Sequence, residues 1–397
     1  MMRAQNLATW SLIAAAAALP ACKWTEFDDL KDDAWVESSG KPDGIKSGDY
    51  GILVERGAKA TGDGGRLVVI GTNTASYSEI AYTAEGDTSV PATKLDLELQ
   101  YGLANISPQT SLLIADPESD NISLFVASDN GVAMLTGSQG TLKLYQFFSV
   151  NSPDAATYLT VASHAGVSLP IVAVGDTVYG GFLPALTTGM AQPACKLTDT
   201  TKIRALGAVR VGASDDLLAW DQSGKLNRYP GAVFDGCGAG TTAPKSVDTG
   251  IQPGAGSKIL QIDGTHVVLA STGGALLEVQ TDTMVVVGSG PTAAAGLTSA
   301  ALLDTGTAKY VVAGEPTQGV GGQIELFELT AAGVGAKVDT LNDAQPESGQ
   351  MYGRSVTVVP YNGHQVIAVG ASNEVFTYYR ANLGDGSPLY AETRQGR

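Results

Sequence analysis

The chain has 397 residues, 49 of them glycine, and sets 40 Asp and Glu against 24 Lys and Arg for a formal charge of −16. That charge excludes nucleic acid as a partner and excludes docking onto an anionic bilayer through a basic patch, because both surfaces would repel it. The length suffices for one large all-β domain or two ordinary ones, and outside the first twenty residues no long window carries apolar residues at helical spacing.

Residues 1–21 have the layout of a secretory signal: one basic residue, Arg3, then an apolar stretch from Leu7 to Leu19, then small residues. The apolar run is too short to remain as a spanning helix. Leu19-Pro20-Ala21-Cys22 resembles the bacterial lipobox, which implies a lipid on the Cys22 thiol and cleavage that leaves Cys22 as the first mature residue. The alternative is plain secretion with cleavage after Ala21. Lys23 follows the cysteine where an Asp would imply inner-membrane retention, so the resemblance implies an outer-membrane lipoprotein, anchored by lipid alone. Residues 22–49 are acidic, poor in periodicity and broken by Gly and Pro, which predicts a tether. Trp24, Phe27 and Trp35 within it are expected to pack on the folded domain or at the headgroup level.

From Tyr50 onward the chain repeats. Its clearest unit is the last, Gly349–Arg380, with predicted strands Ser355–Pro360, Gln365–Gly370 and Glu374–Tyr379 and an Asn-Gly hairpin signal at Asn362-Gly363. A meander of three strands cannot bury both faces alone, so it needs copies beside it. Seven apolar runs match its middle strand: Leu67–Gly71, Leu112–Asp116, Ile171–Gly175, Asp216–Trp220, His266–Ala270, Tyr310–Gly314 and Val366–Gly370. Their spacing of roughly 44 to 60 residues is that of propeller blades. Third strands are expected at Glu79–Thr83, Ser123–Ala127 and Gln323–Leu329, and fourth strands at Gly140–Phe147 and Leu226–Tyr229. The expected fold is an all-β propeller over residues 50–380, of seven blades with six or eight as alternatives. Pairing of Tyr50–Glu55 with the last blade would close the ring and remove its open edges. Residues 381–397 form a tail that can pack on the propeller.

Several units begin with an aromatic-Gly pair, Tyr50-Gly51, Tyr101-Gly102 and Tyr352-Gly353, and carry a small or acidic triplet after the middle strand. The triplets are Ala115-Asp116-Pro117, Gly175-Asp176-Thr177, Gly314-Glu315-Pro316 and Gly370-Ala371-Ser372. At these residues the chain resembles the FG-GAP repeat proteins, the propellers of integrin α subunits and their bacterial relatives. The resemblance implies adhesion or assembly roles. Many members hold calcium in a DxDxDG loop, but Gly62–Gly65, Leu303–Gly306 and Tyr361–Gly363 offer at most one carboxylate each, so no structural calcium, metal or other cofactor is expected.

Cys195 and Cys237 are an even pair in an oxidising compartment and are expected to form one disulfide, with free buried thiols as the alternative. His266 and His364 occupy matching positions before middle strands; they could face one another across the axis, but recurring turn residues explain them equally, and His164 stands apart. Gly319–Gly322 mimics a phosphate loop, yet a strand, Gln323–Phe327, follows where a helix is required, so it reads as a hairpin turn. Asp28-Asp29, Asp32-Asp33 and Asp215-Asp216 read as solvated surface. No catalytic set stands out. The expected function is a protein- or glycan-binding scaffold at the cell envelope. The alternative is a glycan-active hydrolase or lyase with acidic residues gathered at the axial funnel.

Overall fold

The computed structural model describes residues 35–40, 51–54, 66–71, 76–81, 95–96, 112–115, 122–128, 131–137, 143–150, 158–164, 167–180, 190–191, 195–198, 201–231, 244–288, 290–306, 308–343, 346, 348–361, 364–371 and 375–380. Cys22, Cys237, most of the expected tether, Gly62–Gly65 and the 381–397 tail lie outside them. The described residues from Glu37 to Tyr379 belong to one compact unit. Apart from Trp35, Val36 and Arg380 at their outer ends, the described strands belong to this unit.

Among the described residues every regular element is a strand. The first, β1 (Trp35–Gly40), is followed by β2 (Gly51–Val54), β3 (Arg66–Gly71), β4 (Ser76–Ala81) and β5 (Leu95–Asp96); β2 to β5 form one antiparallel sheet in that order. Next come β6 (Leu112–Ala115), β7 (Ile122–Ser128), β8 (Gly131–Gly137) and β9 (Lys143–Ser149). The following sheet contains β10 (Tyr158–His164), β11 (Val167–Val174), β12 (Thr177–Gly180) and β14 (Cys195–Thr198). Between its last two strands, β13 (Met190–Ala191) leaves to pair in parallel with Phe147-Phe148 of β9. Two four-stranded meanders follow, β15 (Ile203–Val211), β16 (Ser214–Asp221), β17 (Lys225–Tyr229), β18 (Lys245–Asp248), and β19 (Lys258–Gln261), β20 (His266–Ala270), β21 (Leu276–Gln280), β22 (Val285–Val287). The next is β23 (Ser299–Asp304), β24 (Lys309–Glu315), β25 (Gln323–Thr330), β26 (Gly333–Leu341). The last joins β27 (Ser355–Tyr361), β28 (His364–Gly370) and β29 (Val375–Arg380) to β1, in the order β1-β29-β28-β27.

The described residues thus form seven sheets. Their first strands lie side by side, β6 against β10, then β15, β19, β23, β27 and β2 in turn. This sets the first strands in a row, and among the described residues the sheets from β6–β9 through β23–β26 stack face to face, each with the next. Side-chain alternation then divides the central strands of these stacked sheets between two interfaces. In β16, Leu217 and Ala219 pack against the β10–β14 sheet, whereas Leu218 and Trp220 pack against the β19–β22 sheet. In β20, Val267 and Leu269 face backward while Val268 and Ala270 face forward. Both faces being buried, these strands read as unbroken apolar runs; each such Val or Leu contributes about 1.5–3 kcal/mol by leaving water.

Three expectations need correction. Leu112–Asp116 is not a middle strand: β6 is the first strand of its sheet, and Ile122–Ser128, which includes the expected third strand Ser123–Ala127, is the second. First and second strands are both sandwiched between neighbouring sheets, so an apolar run alone cannot tell them apart. Leu226–Tyr229 is a third strand, not a fourth, because Lys245–Asp248 adds outside it. Finally, the strand added to the last sheet is β1, from the stretch read as a tether, while Gly51–Val54 pairs with Arg66–Gly71 as the first strand of its own sheet.

Candidate functional site

At the end of β24 the sequence Val311-Val312-Ala313-Gly314-Glu315 alternates across the sheet, so Val311, Ala313 and Glu315 share the face that packs on the β19–β22 sheet. Gln323 lies opposite Glu315 and Glu325 opposite Ala313, which brings all three polar side chains to that face. Pro316 follows Glu315 and ends the ladder there, since proline has no amide hydrogen to donate. The chain turns through Pro316–Gly322, held by Gln318 N–H donating to Glu315 O at 3.2 Å and Gly322 N–H donating to Gln318 O at 2.9 Å.

Glu315 is 0% exposed and Glu325 4%. The Gln323 amide donates to Oε2 of Glu315 at 2.8 Å and to Oε1 of Glu325 at 3.2 Å. Glu325 also accepts from Lys337 Nζ at 2.8 Å and, on Oε2, from the Ala294 amide of the preceding connection at 3.2 Å. Oε1 of Glu315 has no hydrogen-bond partner. Burial first, and then the charge and hydrogen bonding of the neighbouring Glu325 carboxylate, push the Glu315 carboxyl up to about 7 against the pull of the Gln323 and Ala294 donors. The Lys337 ammonium is held above its ordinary value chiefly by its hydrogen bond to Glu325.

Residues at the same place in other sheets behave differently. Asp221, the last residue of β16, is 1% exposed, but its Oδ1 accepts from Ser223 N at 2.9 Å, Ser223 Oγ at 2.6 Å and Lys225 N at 3.1 Å, across the turn that follows. Ser271, after β20, accepts from Gly273 N at 3.2 Å and donates to Gln252 O at 3.4 Å. Asp176, after β11, accepts from Thr177 Oγ1 at 2.9 Å. The longer turn after Glu315 supplies its side chain with no such donor; Gln323, the first residue of the next strand, does so instead. The Gly314-Glu315-Pro316 triplet marked this position in the sequence, but not its burial.

The last sheet's Tyr-Gly start has its physical reason in this hairpin. Tyr352 is fully buried and its amide donates to Gly321 O at 2.7 Å. Gly353 has φ 87°, and a Cβ on it would strike Gln323 O and lie 2.9 Å from Glu315 N. The pair is wedged against the backbone of the Glu315–Gln323 hairpin.

Lys258, at the start of β19, pairs with Ala270 and therefore faces the same interface as Glu315. Solvent still reaches part of it, but crowding strips enough hydration to push its ammonium down to about 8. Glu278, opposite Val268, faces that interface too and is raised by burial.

The remaining expected site residues are dispersed. His266 starts β20 and His364 starts β28, and the Asn362-Gly363 turn before the latter lies outside the described residues. Asp263 accepts from Thr265 N at 2.7 Å and His266 N at 2.8 Å, and His266 Nδ1 lies 3.2 Å from its carboxylate, so His266 serves its own turn. Burial tends to raise Asp263, yet these donors hold it below the usual carboxylate value. His164 ends β10. Cys195 begins β14 opposite Gly180. Asp304, the carboxylate in Leu303–Gly306, accepts from Gly306 N at 2.8 Å and lies 3.5 Å from Lys309 Nζ. Asp215-Asp216 are not solvated surface: Asp215 is 9% exposed and lies 2.7 Å from Arg210 Nε, and Asp216 is gripped by Arg228. Adjacent acids at a strand start look exposed because a distant arginine partner is invisible locally. Among the described residues of the seven first strands, Asp304 is the single carboxylate, and it sits at an exposed strand end.

No protein-family model matches the chain, and no curated protein is similar to it in sequence. Solved structures are similar in fold. BBS1N, in a structure with ARL6DN, matches with a TM-score of 0.54 and 12% identity, covering 88% of this chain and 98% of that one. The WD40 β-propeller domain of Doa1 matches with a TM-score of 0.55 and 12% identity over 87% and 97%. The Neurospora crassa Pan2 WD40 domain matches with a TM-score of 0.55 and 11% identity over 88% and 96%. At these identities the likeness establishes the fold, a β-propeller, and that alone.

Proposed function

We propose that this β-propeller is a docking scaffold for a protein partner, carried at the bacterial cell envelope by a lipid on Cys22. The observation that carries the scaffold reading is the composition of the first strands, where, among the described residues, Asp304 is the single carboxylate and is engaged by its own turn and by Lys309. A hydrolase or lyase working in the axial funnel needs two carboxyl groups at a set separation there. Propellers of this kind do serve as binding platforms: BBS1N was solved in complex with ARL6DN. We read the seven sheets as seven blades and the Tyr-Gly and Gly-Glu-Pro positions as a relict FG-GAP pattern, which favours assembly or adhesion over catalysis.

The anchor rests on Leu19-Pro20-Ala21-Cys22 and on the acidic stretch behind it. Growth of wild type and Cys22→Ser with an alkyne fatty acid, followed by membrane fractionation, protease shaving and crosslinking of intact cells, tests both halves. Wild type should be labelled, sediment with outer membranes and crosslink to a discrete protein, and the variant should lose the label. Unlabelled wild type in the soluble fraction would sink the anchor. Crosslinks or retention on envelope glycans alone would replace the protein partner by a glycan.

A further inference from the structure

Glu315 joins two features that no other described turn combines: complete burial and a carboxylate oxygen without a hydrogen-bond partner. The native arrangement suits a carboxyl group and is poor for a carboxylate. One oxygen takes the Gln323 amide, which is shared with Glu325; the other has no hydrogen-bond partner of its own, and the neighbouring Glu325 carboxylate can be bonded by Glu315 only when Glu315 carries a proton. A bare carboxylate in that place would carry an uncompensated buried charge beside a second one. The charged and titratable groups around it are few. Strand β25 brings Glu325 and β26 brings Lys337, which is already committed to Glu325. The facing sheet brings Lys258 from β19 and Glu278 from β21. The Ala293–Leu297 connection brings none, and the Tyr352–Arg354 segment behind the hairpin brings Tyr352 and Arg354.

The turn that leaves Glu315 is short of side-chain anchors and lies at the surface. Residues Pro316–Gly322 include Gly319 at φ 62° and Gly322 at φ 105°, and Val320, 67% exposed, is the most exposed large apolar side chain among the described residues. Besides its two internal bonds, the turn is tied down by Gln318 Nε2 donating to Ala295 O at 2.6 Å and by Tyr352 donating to Gly321 O.

We propose that Glu315 holds a proton as a latch, and that losing this proton loosens the Pro316–Gly322 turn and the Val320 surface it displays. The proposal does not rest on the docking function; if docking uses this face, the latch makes it respond to acidity. The direction follows from linkage. In the closed turn Glu315 keeps its proton up to about pH 7, whereas an opened, hydrated Glu315 returns toward its ordinary 4.5. Opening therefore releases a proton between those limits, and mild acid tightens the latch.

Amide hydrogen exchange at Gln318 and Gly322, corrected for intrinsic rates and followed from pH 5 to pH 8, reads this on the folded chain. In wild type the opening constant should fall by up to about tenfold for each pH unit of acidification below about 7. Glu315→Gln, which keeps the shape and removes the proton equilibrium, should give a flat profile. A flat wild-type profile, or the same slope in the variant, overturns the proposal. Infrared difference spectra of wild type supply a second reading that needs no variant. A protonated-carboxyl band that titrates near pH 7 supports the latch, and absence of any carboxyl band titrating above the ordinary carboxylate range overturns it.

Discussion

Arg228 holds Asp216 by a single oxygen: its Nε and Nη2 both lie 2.8 Å from Asp216 Oδ2. That leaves Oδ1 to accept from Gly231 N at 2.8 Å, while Arg228 Nη1 donates to Thr281 O of the next sheet. One ion pair thereby ties the end of β17 to the start of β16 and staples two adjacent sheets. Removing one partner strands the other's charge in a place where both side chains are nearly nine-tenths buried. Asp216→Ala should cost about 3–5 kcal/mol in denaturant unfolding. Arg228→Lys keeps the charge but not the fork, and should still lose more than about 1 kcal/mol. Unchanged midpoints in both variants would mean that the staple is open in solution.

Glu315 gives stability a pH dependence of definite sign. Its folded-state value of about 7 lies above the ordinary 4.5 of an unfolded chain, so the folded state binds the proton more tightly. The benefit is fully present below about 4.5 and is lost as pH rises to about 7. Relative to Glu315→Gln, wild type should therefore lose stability across that window, by on the order of 3 kcal/mol at most. Urea midpoints at intervals of pH for both proteins measure it. A constant difference would show that Glu315 ionises normally.

Asp221 is buried as deeply but is satisfied by three donors from its own turn. Asp221→Ala leaves those donors unpaired and should destabilise by about 1–3 kcal/mol. Asp221→Asn retains an acceptor and should cost less. Equal losses would indicate that the negative charge, not the acceptor, organises the turn.

Gly290 has an ordinary φ, yet a Cβ there would run into the Leu276 carbonyl oxygen. The position is glycine for lack of room. Gly290→Ala should cost about 1–3 kcal/mol by overpacking and lower the thermal midpoint. Gly175 is the contrast: it has φ 61° with nothing within 4 Å of a Cβ, so Gly175→Asn, a residue that tolerates this conformation, should be milder. If the two variants melt alike, the close approach at Gly290 is not present in solution.

Fold class and most of the repeat were legible in the amino-acid order. Six of its seven apolar runs are second strands, and the turns between them carry the glycines and carboxylates that short hairpins need. These features are local: alternation, run length and turn chemistry act over a few residues. Packing between sheets settled which run leads each sheet, that Trp35–Gly40 joins the last sheet, and that Asp216 is paired. It also settled that Glu315, one polar residue among several at equivalent turns, is enclosed with Glu325 and left short of a donor. Each of these depends on what the neighbouring sheet or strand places nearby, and burial of a carboxylate is set by partners far along the chain.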